Sequence, residues 1–333
     1  MTARRHVHVL FTGGTISMRI DPGTGAAVPA LSAEEIVAKV PGLKKEARLT
    51  LEEYARLPGP HVTPHWMWRL KERVAEVLAD PGVDGVVLTH GTDTIEETAY
   101  LLDLTLEGPR PVVFCGAMRT VSEPGWDGPS NLLAAVRTAV HPESRGRGVL
   151  VTVGEQIHTA AEATKWHTQS LVAFRSPHGP LGVLDRGQVV YDRPAFRAPV
   201  LPARRLVSEV DLHLMASDVD DALIRASLAR GARGLVVAAT GCGNVPPAVI
   251  PGLRAALAAR IPVVLVSRCA EGRLAPAYGY EGGGQMLKEI GVIFGQELPG
   301  QKARIKLMVA LGVSSDPTEV RRMFEGDPAA AAT

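Results

Sequence analysis

Gly85-Val86-Val87-Leu88-Thr89-His90-Gly91-Thr92-Asp93-Thr94-Ile95-Glu96-Glu97-Thr98-Ala99 changes character twice within 15 residues. It opens on a continuous apolar run, 85–89, rather than an alternating one. A strand of that kind is covered on both faces, as in a parallel sheet. A polar turn follows, and from 94 to 106 the apolar spacing becomes helical. The same unit recurs on either side. Residues 6–11, 111–115 and 148–153 are further continuous apolar runs, and helical patterns cover 32–40, 63–80 and 130–140. Ser32 and Glu35 stand at capping-box spacing. Thr63 and Pro64 suit the N-cap and first position of the next helix. Met67, Leu70, Val74, Val77 and Leu78 mark its apolar face, and Asp80-Pro81-Gly82 stops it. Alternating strands and helices predict an α/β protein with a doubly wound, mainly parallel sheet.

The rhythm breaks over 181–202, where Pro180, Pro194, Pro199 and Pro202 interrupt any helix and only 188–191 reads as a short strand. It then restarts. Helices are expected at 218–230, 248–260, 284–290, 301–311 and 317–324, and strands at 234–239 and 262–267. The expected division is a larger N-terminal catalytic α/β domain at 1–190, a linker at 191–210 and a smaller C-terminal α/β domain at 211–333. The tail 327–333 is expected to fray.

Composition narrows the function classes. At 46% hydrophobic and 21% charged, the 333-residue chain is ordinary for a globular protein, which excludes extensive disorder. Lys+Arg 36 against Asp+Glu 35 leaves a charge of +1 without a basic stripe, so no nucleic-acid partner is expected. The apolar runs at 234–239 and 262–266 fall far short of the ~20 residues that span a bilayer, so no membrane partner is expected either. The run 7–11 behind Arg4 and Arg5 is too short for a signal-peptide core. Cys115, Cys242 and Cys269 are scattered, which suits a reducing, cytoplasmic setting.

In open α/β sheets, ligands bind beyond the carboxyl ends of the strands. After the first expected strand comes Thr12-Gly13-Gly14-Thr15-Ile16, and after the second Thr89-His90-Gly91-Thr92-Asp93-Thr94. After the third comes Gly116-Ala117-Met118-Arg119, and after the fourth a polar segment with Thr164-Lys165. Two hydroxyls, a carboxylate and an amine at one sheet edge suit activation of a hydroxyl nucleophile. Each piece has a plainer use. Gly13-Gly14 also serves a tight βα turn, Thr92-Asp93 a helix cap, and Lys165 a solvated loop. GxGxxG and GxxxxGK[ST] are absent, so no nucleotide is implied. His61 and His65 have the i,i+4 spacing of a metal pair, but the helix starts between them, and no metal is expected. His6 and His8 read as edge or site-wall residues. Trp66 and Trp68 lie two apart on a helix, so at most one is expected in the core. Gly282-Gly283-Gly284 suits close packing at least as well as an anion.

Thr12-Gly13-Gly14-Thr15-Ile16, together with the segment from His90 to Ala99, resembles the two signature motifs of the bacterial-type L-asparaginase family. The resemblance continues through Gly116-Ala117-Met118-Arg119, Asp127-Gly128-Pro129 with Asn131-Leu132, Thr164-Lys165, and Gly241 with Gly243-Asn244. It implies two domains, a homodimer or homotetramer, and hydrolysis of the side-chain amide of L-asparagine to L-aspartate and ammonia without a cofactor. Carried onto this sequence, Thr15 matches the nucleophile that forms an acyl-enzyme. Thr92, Asp93 and Lys165 match a Thr-Lys-Asp triad that activates the hydrolytic water. The Thr92 backbone N–H matches an oxyanion donor, and the Ala117 carbonyl an acceptor for the leaving amide nitrogen. Asp93 would also hold the substrate's α-ammonium. The implied substrate-binding set is Gly14, Gly59, Pro60, His61, Gly91, Thr92, Asp93 and Ala117. A lysine beside a carboxylate keeps its proton, so Lys165 orients and relays.

The chain also departs from that pattern. Periodplasmic members of the family carry a tyrosine after the first loop, whereas 21–31 holds no aromatic residue here and Tyr54 comes next. Gly59-Pro60-His61 replaces a serine followed by Asp or Gln, and Pro246 falls near an asparagine that some members donate across a dimer. Gly243-Asn244 and Glu281 are expected at an intersubunit seam. The segment 22–27 has the composition of a mobile lid. Alternatives are a glutaminase-asparaginase, the deamidating subunit of a tRNA amidotransferase, which would carry a further N-terminal domain, and a non-catalytic amino-acid-binding protein with the same pocket.

Overall fold

The structure, a computed structural model, describes residues 4–195 and 197–326, so the expectation for 327–333 lies outside the described residues. The chain divides into two compact units, Met1–Val200 and Leu201–Thr333.

In chain order the first unit begins with β1 (His6–Gly13), a short hairpin of β2 (Met18–Ile20) and β3 (Ala27–Pro29), and helices α1 (Ala33–Ala38) and α2 (Leu43–Glu46). Next come β4 (Arg48–Leu57), α3 (Pro64–Ala79), β5 (Gly85–Thr89), α4 (Ile95–Thr105), β6 (Val112–Cys115), α5 (Gly128–Val140) and β7 (Val149–Val153). Strands β8 (Gln156–Thr159), β9 (Thr164–Lys165), β10 (Phe174–Arg175), β11 (Gly182–Asp185) and β12 (Gln188–Tyr191) complete it. The main sheet has 8 strands in the order β12-β11-β8-β7-β6-β5-β1-β4. From β7 to β4 every neighbouring pair is parallel. The four continuous apolar runs of the sequence are β1, β5, β6 and β7, adjacent in space. Val9, Val87, Val113 and Leu150 in them are fully buried, and α1, α2 and α5 close one face of the sheet. The capping box forms: Ser32 Oγ accepts from Glu35 N–H, and a Glu35 carboxylate oxygen accepts from Ser32 N–H at 2.8 Å.

β4 was not among the expected strands. Its sequence, Arg-Leu-Thr-Leu-Glu-Glu-Tyr-Ala-Arg-Leu, carries charges along an edge strand, so the apolar run is broken. It pairs with β1 from His6↔Arg48 onward. β1 is therefore interior, and the edge or wall role expected of its histidines is corrected. His6 Nε2 lies 2.8 Å from Thr50 Oγ1 and His8 Nε2 lies 2.8 Å from Glu52, which also takes Arg73. The Trp expectation is corrected as well, since Trp66 and Trp68 are both only 8% exposed. Trp66 meets Tyr54 and His90 edge-on, while Trp68 donates to Glu72 and lies under Lys71. One tryptophan is covered by the sheet and the other by its own helix's long side chains.

The fourth strand end also differs. β7 does not lead straight to Lys165. Gly154 (φ 60°) and Glu155 (φ 62°) form a two-residue turn into antiparallel β8, and Lys165 follows that hairpin, on β9 paired with β10. Residues 191–195 and 197–200, placed in the expected linker, stay with the first unit. There Tyr191 Oη lies 2.6 Å from Ser144 Oγ, and Arg197 donates to the Leu106 carbonyl at 2.6 Å.

The second unit contains β13 (Val210–Leu214), α6 (Ala222–Ala229), β14 (Gly234–Ala239), α7 (Ile250–Ala258), β15 (Val263–Ser267), α8 (Gly284–Glu289), β16 (Ile293–Phe294), α9 (Gly300–Val313) and α10 (Pro317–Glu325). Its 4 parallel strands lie in chain order, with Val237, Leu253, Leu265 and Leu287 in the core. Short β13 and β16 add to the two expected strands. Gly282-Gly283-Gly284 packs closely: a methyl on Gly282 would sit 2.2 Å from the Val245 carbonyl oxygen. Among the described residues no helix is long and apolar enough to cross a membrane.

Because both arms of the capping box close, Ser32→Ala should lower the unfolding free energy by about 1 kcal/mol, read as a fall in the urea midpoint at unchanged slope.

Candidate functional site

The loops at the carboxyl ends of β1, β4 and β5 meet backbone to backbone. Gly14 takes φ 83° and donates its N–H to the Leu57 carbonyl at 3.0 Å. A methyl on Gly14 would lie 2.6 Å from Gly91 N, and one on Gly91 would lie 2.7 Å from Gly59 Cα. Only glycine allows those approaches. Hydroxyls lock the same seam: Thr12 donates to the Thr89 carbonyl at 2.7 Å and Thr94 to the Gly59 carbonyl at 2.9 Å. The β6 loop closes the other side, where a methyl on Gly116 would meet the His90 carbonyl oxygen at 2.7 Å and Thr92 Cγ2 at 2.9 Å.

This seam presents Thr92 and Asp93, and Lys165 reaches them from β9. Lys165 Nζ donates to Thr92 Oγ1 at 2.9 Å and to Asp93 Oδ1 at 2.6 Å. Thr92 is buried and the Lys165 side chain is 14% exposed, whereas the Asp93 side chain is 59% exposed. The amine thus sits inside, and the carboxylate faces outward, where a cationic ligand group can reach it. Two of the three ammonium donors are occupied, and Thr92 Oγ1 accepts from one, which leaves the threonine proton free to point elsewhere. Neither Thr92 nor Asp93 caps α4; the N-cap is Thr94, without a side-chain cap bond. Thr15, half-buried, opens the 3-10 turn Thr15–Ser17 one residue beyond the Gly14–Gly91 contact, as Thr92 lies one residue beyond its other half.

The β2–β3 hairpin follows Thr15 directly. Its tip is an ordered turn in which Asp21 Oδ1 accepts from Gly23 N–H, Thr24 N–H and Thr24 Oγ1, and these bonds hold the Asp21 carboxyl below its usual range. The hairpin rests on the β6–α5 loop: Val121 N–H donates to the Met18 carbonyl at 3.2 Å and Ile20 N–H to Ser122 Oγ at 3.1 Å. Tyr54 meets Trp66 edge-on instead of this hairpin. Pro60 and His61 are exposed on the 3-10 turn Gly59–His61, while Gly59 is buried, with Asp93 Cβ 3.3 Å from where its methyl would be. His61 and His65 lie on different elements.

Three contributors escaped the sequence reading. Asp127 and Asn131, present in the motif without a role, bind the backbone of the β6 loop. His90 is fully buried between Trp66 and Phe114, and burial pushes its ring down to about 4. Its Nδ1 lies 2.9 Å from the Gly91 carbonyl, which only accepts, so Nδ1 carries the proton and Nε2 accepts from Thr98 Oγ1 at 3.0 Å. The sequence places His90 directly before Gly91 but sets Asp127 and Asn131 well beyond the β6 loop that they bind, so only His90 carries a local signal.

A methyl 2.7 Å from the Gly59 backbone forces the seam apart, so Gly91→Ala should cost about 1–3 kcal/mol, seen as a drop in Tm. His90 gives a pH signature. Its pKa is 6.5 in the unfolded chain and about 4 when folded, so the unfolded state binds the extra proton between those values. The stabilisation is full above pH 6.5 and is lost as pH falls through 4, amounting to about 3 kcal/mol. The stability gap between wild type and His90→Asn should therefore narrow from pH 7 to pH 4; a constant gap in urea unfolding would contradict a buried neutral ring.

Comparison with known proteins agrees with this architecture. Residues 6–197 match the family model described as "Asparaginase, N-terminal", and 209–324 that described as "Glutaminase/Asparaginase C-terminal domain". The chain is 38% identical to a probable L-asparaginase of Deinococcus radiodurans over 95% of this chain and 96% of that one. It is 35% identical to an L-asparaginase of Bacillus licheniformis, over 92% and 95%. A solved structure of a probable cytoplasmic L-asparaginase from Campylobacter jejuni superposes with a TM-score of 0.87 at 31% identity, covering 97% of this chain and 99% of that one. Matched along both units, with Lys165 bonded to the threonine and the aspartate that follow β5, the chain belongs to the asparaginase family.

Proposed function

We propose that this amidohydrolase is an L-asparaginase that works through a threonine nucleophile and an acyl-enzyme. The observation that carries the reading is Lys165 Nζ bonded at once to Thr92 Oγ1 and Asp93 Oδ1, at 2.9 and 2.6 Å. In the first half-reaction Thr15 Oγ1 attacks the side-chain amide carbon. The C–O bond forms, the Thr15 hydroxyl proton passes to the amide nitrogen, the C–N bond breaks, and ammonia leaves. The Thr92 N–H faces the developing oxyanion, and the Ala117 carbonyl accepts from the departing nitrogen. Losing one such oxyanion donor costs about 2.7–4 kcal/mol of transition-state stabilisation. In the second half-reaction Thr92, oriented by Lys165, positions the water that cleaves the ester and releases aspartate.

Asp93 is exposed enough to hold the substrate's α-ammonium while its other side meets Lys165. Gly59, close to Asp93, offers a backbone N–H to the amino-acid end, and His61 on the same turn offers a ring. Gly14 and Gly91 floor the site. Fixing the amino-acid end makes glutamine, longer by a methylene, overshoot Thr15; the methylene itself is worth only about 1–3 kcal/mol. The same reading includes a homodimer or homotetramer with Gly243-Asn244 and Glu281 at the seam, in the cytoplasm, and a domain division near residues 191–210.

Purified protein should release ammonia from asparagine faster than from glutamine without added cofactor. Thr15→Ala, Thr92→Val and Lys165→Met should each lower turnover by orders of magnitude while the fold survives. Because such groups act as a unit, the Thr92→Val, Lys165→Met double variant should be little worse than either single one. Folded Thr15→Ala and Thr92→Val with wild-type turnover would falsify the assignment.

A further inference from the structure

Asp127 stands at the N-cap of α5, where an aspartate ordinarily binds the free N–H groups of its own helix. Here it makes no side-chain cap bond. Its carboxylate turns instead to the β6 loop: Oδ2 accepts from Met118 N–H at 2.9 Å, and Oδ1 from Arg119 N–H at 2.9 Å. Asn131, one turn along α5, donates from Nδ2 to Asp127 Oδ2 at 3.0 Å and to the Gly116 carbonyl at 2.9 Å. Its Oδ1 accepts from Gly154 N–H at 3.0 Å, at the turn that follows β7. Asp127 is 9% exposed and Asn131 2%. Two buried polar side chains are thus committed to the four-residue segment Gly116-Ala117-Met118-Arg119 rather than to their own helix.

The consequence is directional. In a trans peptide the C=O and N–H of one plane point opposite ways. With Met118 N–H held on Asp127, the Ala117 carbonyl is fixed away from Asp127, and with the Gly116 carbonyl held on Asn131 the preceding plane is fixed too. Gly116 in turn touches His90 and Thr92, so the clamp cannot shift without moving the strand-end seam.

We infer that Asp127 is a positioning residue for amide cleavage: through the Ala117–Met118 peptide it aims the Ala117 carbonyl at the leaving nitrogen. This rests on the proposed Thr15 acylation. Only a leaving group with N–H bonds uses that carbonyl. Acylation by asparagine expels a nitrogen whose own two N–H bonds can donate to it, whereas acylation by aspartate β-methyl ester breaks a C–O bond to an oxygen that brings no hydrogen of its own, takes the Thr15 hydroxyl proton and leaves as methanol. Both substrates form the same acyl-enzyme, and kcat/KM reports the steps up to acylation.

The test is the ratio of kcat/KM for asparagine to that for aspartate β-methyl ester, in wild type, Asp127→Asn, Asn131→Ser and Thr15→Ala. In Asp127→Asn one N–H of the clamp faces an amide NH2 instead of an oxygen. A small misplacement of a catalytic group costs up to about a hundredfold, so the asparagine value should fall roughly ten- to a hundredfold and the ester value by less than about threefold. Asn131→Ser, which frees the Gly116 carbonyl, should move the ratio in the same direction and serves alone if Asp127→Asn does not fold. A merely structural clamp lowers Tm, or both rates equally, and leaves the ratio unchanged; that result overturns the inference. Thr15→Ala should abolish both activities. If it spares them, the acylation reading itself fails, whatever Asp127 does.

Discussion

The first unit depends on a contact between glycines. Gly14, Gly59 and Gly91 end three neighbouring strands, and their backbones touch where a methyl group would have no room. Parallel neighbours bring their carboxyl ends to one edge of the sheet, but ordinary side chains would hold the following loops apart. Removing those side chains lets the loops close on each other. Thr15 and Thr92 then emerge one residue past the contact, on adjoining strands. Threonine hydroxyls at 12 and 94 bond across the same seam, so its geometry is held by hydrogen bonds as well as by shape.

Electrostatics is layered around that seam. Lys165 comes from outside the parallel run, after an antiparallel hairpin, and places its ammonium on a buried hydroxyl and an exposed carboxylate. A charge so placed keeps its hydrogen-bond partners, which a buried cation requires. Behind it, His90 is kept neutral by burial, and its Nδ1–H steadies the Gly91 carbonyl. The peptide that carries the Thr92 N–H is therefore held from its opposite end. Asp127 and Asn131 do the same for the facing loop. The groups that orient these loops are buried: His90 directly after β5, and Asp127 and Asn131 at the start of α5.

Much of this was legible along the chain. Continuous apolar runs marked β1, β5, β6 and β7 because strands buried on both faces carry few polar residues. Ser32 with Glu35, and Thr63 with Pro64, marked helix starts because capping acts over three or four residues. β4 was hidden by Glu52, Glu53, Arg48 and Arg56, charges that an edge strand tolerates. Spacing allows at most one of Trp66 and Trp68 in the core, yet both are buried, because Lys71 and Glu72 of its own helix cover Trp68, which spacing does not show.

The sequence by itself determined which chemical groups follow β1, β5 and β6, and that these strands are of the parallel, buried kind. Both are local properties, set by side-chain period and by residues a few positions apart. Only the tertiary structure decided that Lys165, separated from Asp93 by 72 positions, lies 2.6 Å from it, and that Asp127 leaves its own helix to bind the β6 loop. Those pairings depend on strand order and on the antiparallel turn at Gly154-Glu155, which no local pattern around Lys165 encodes. A side chain's partner is chosen by the space that folding leaves open, and that space exists only once the sheet has formed.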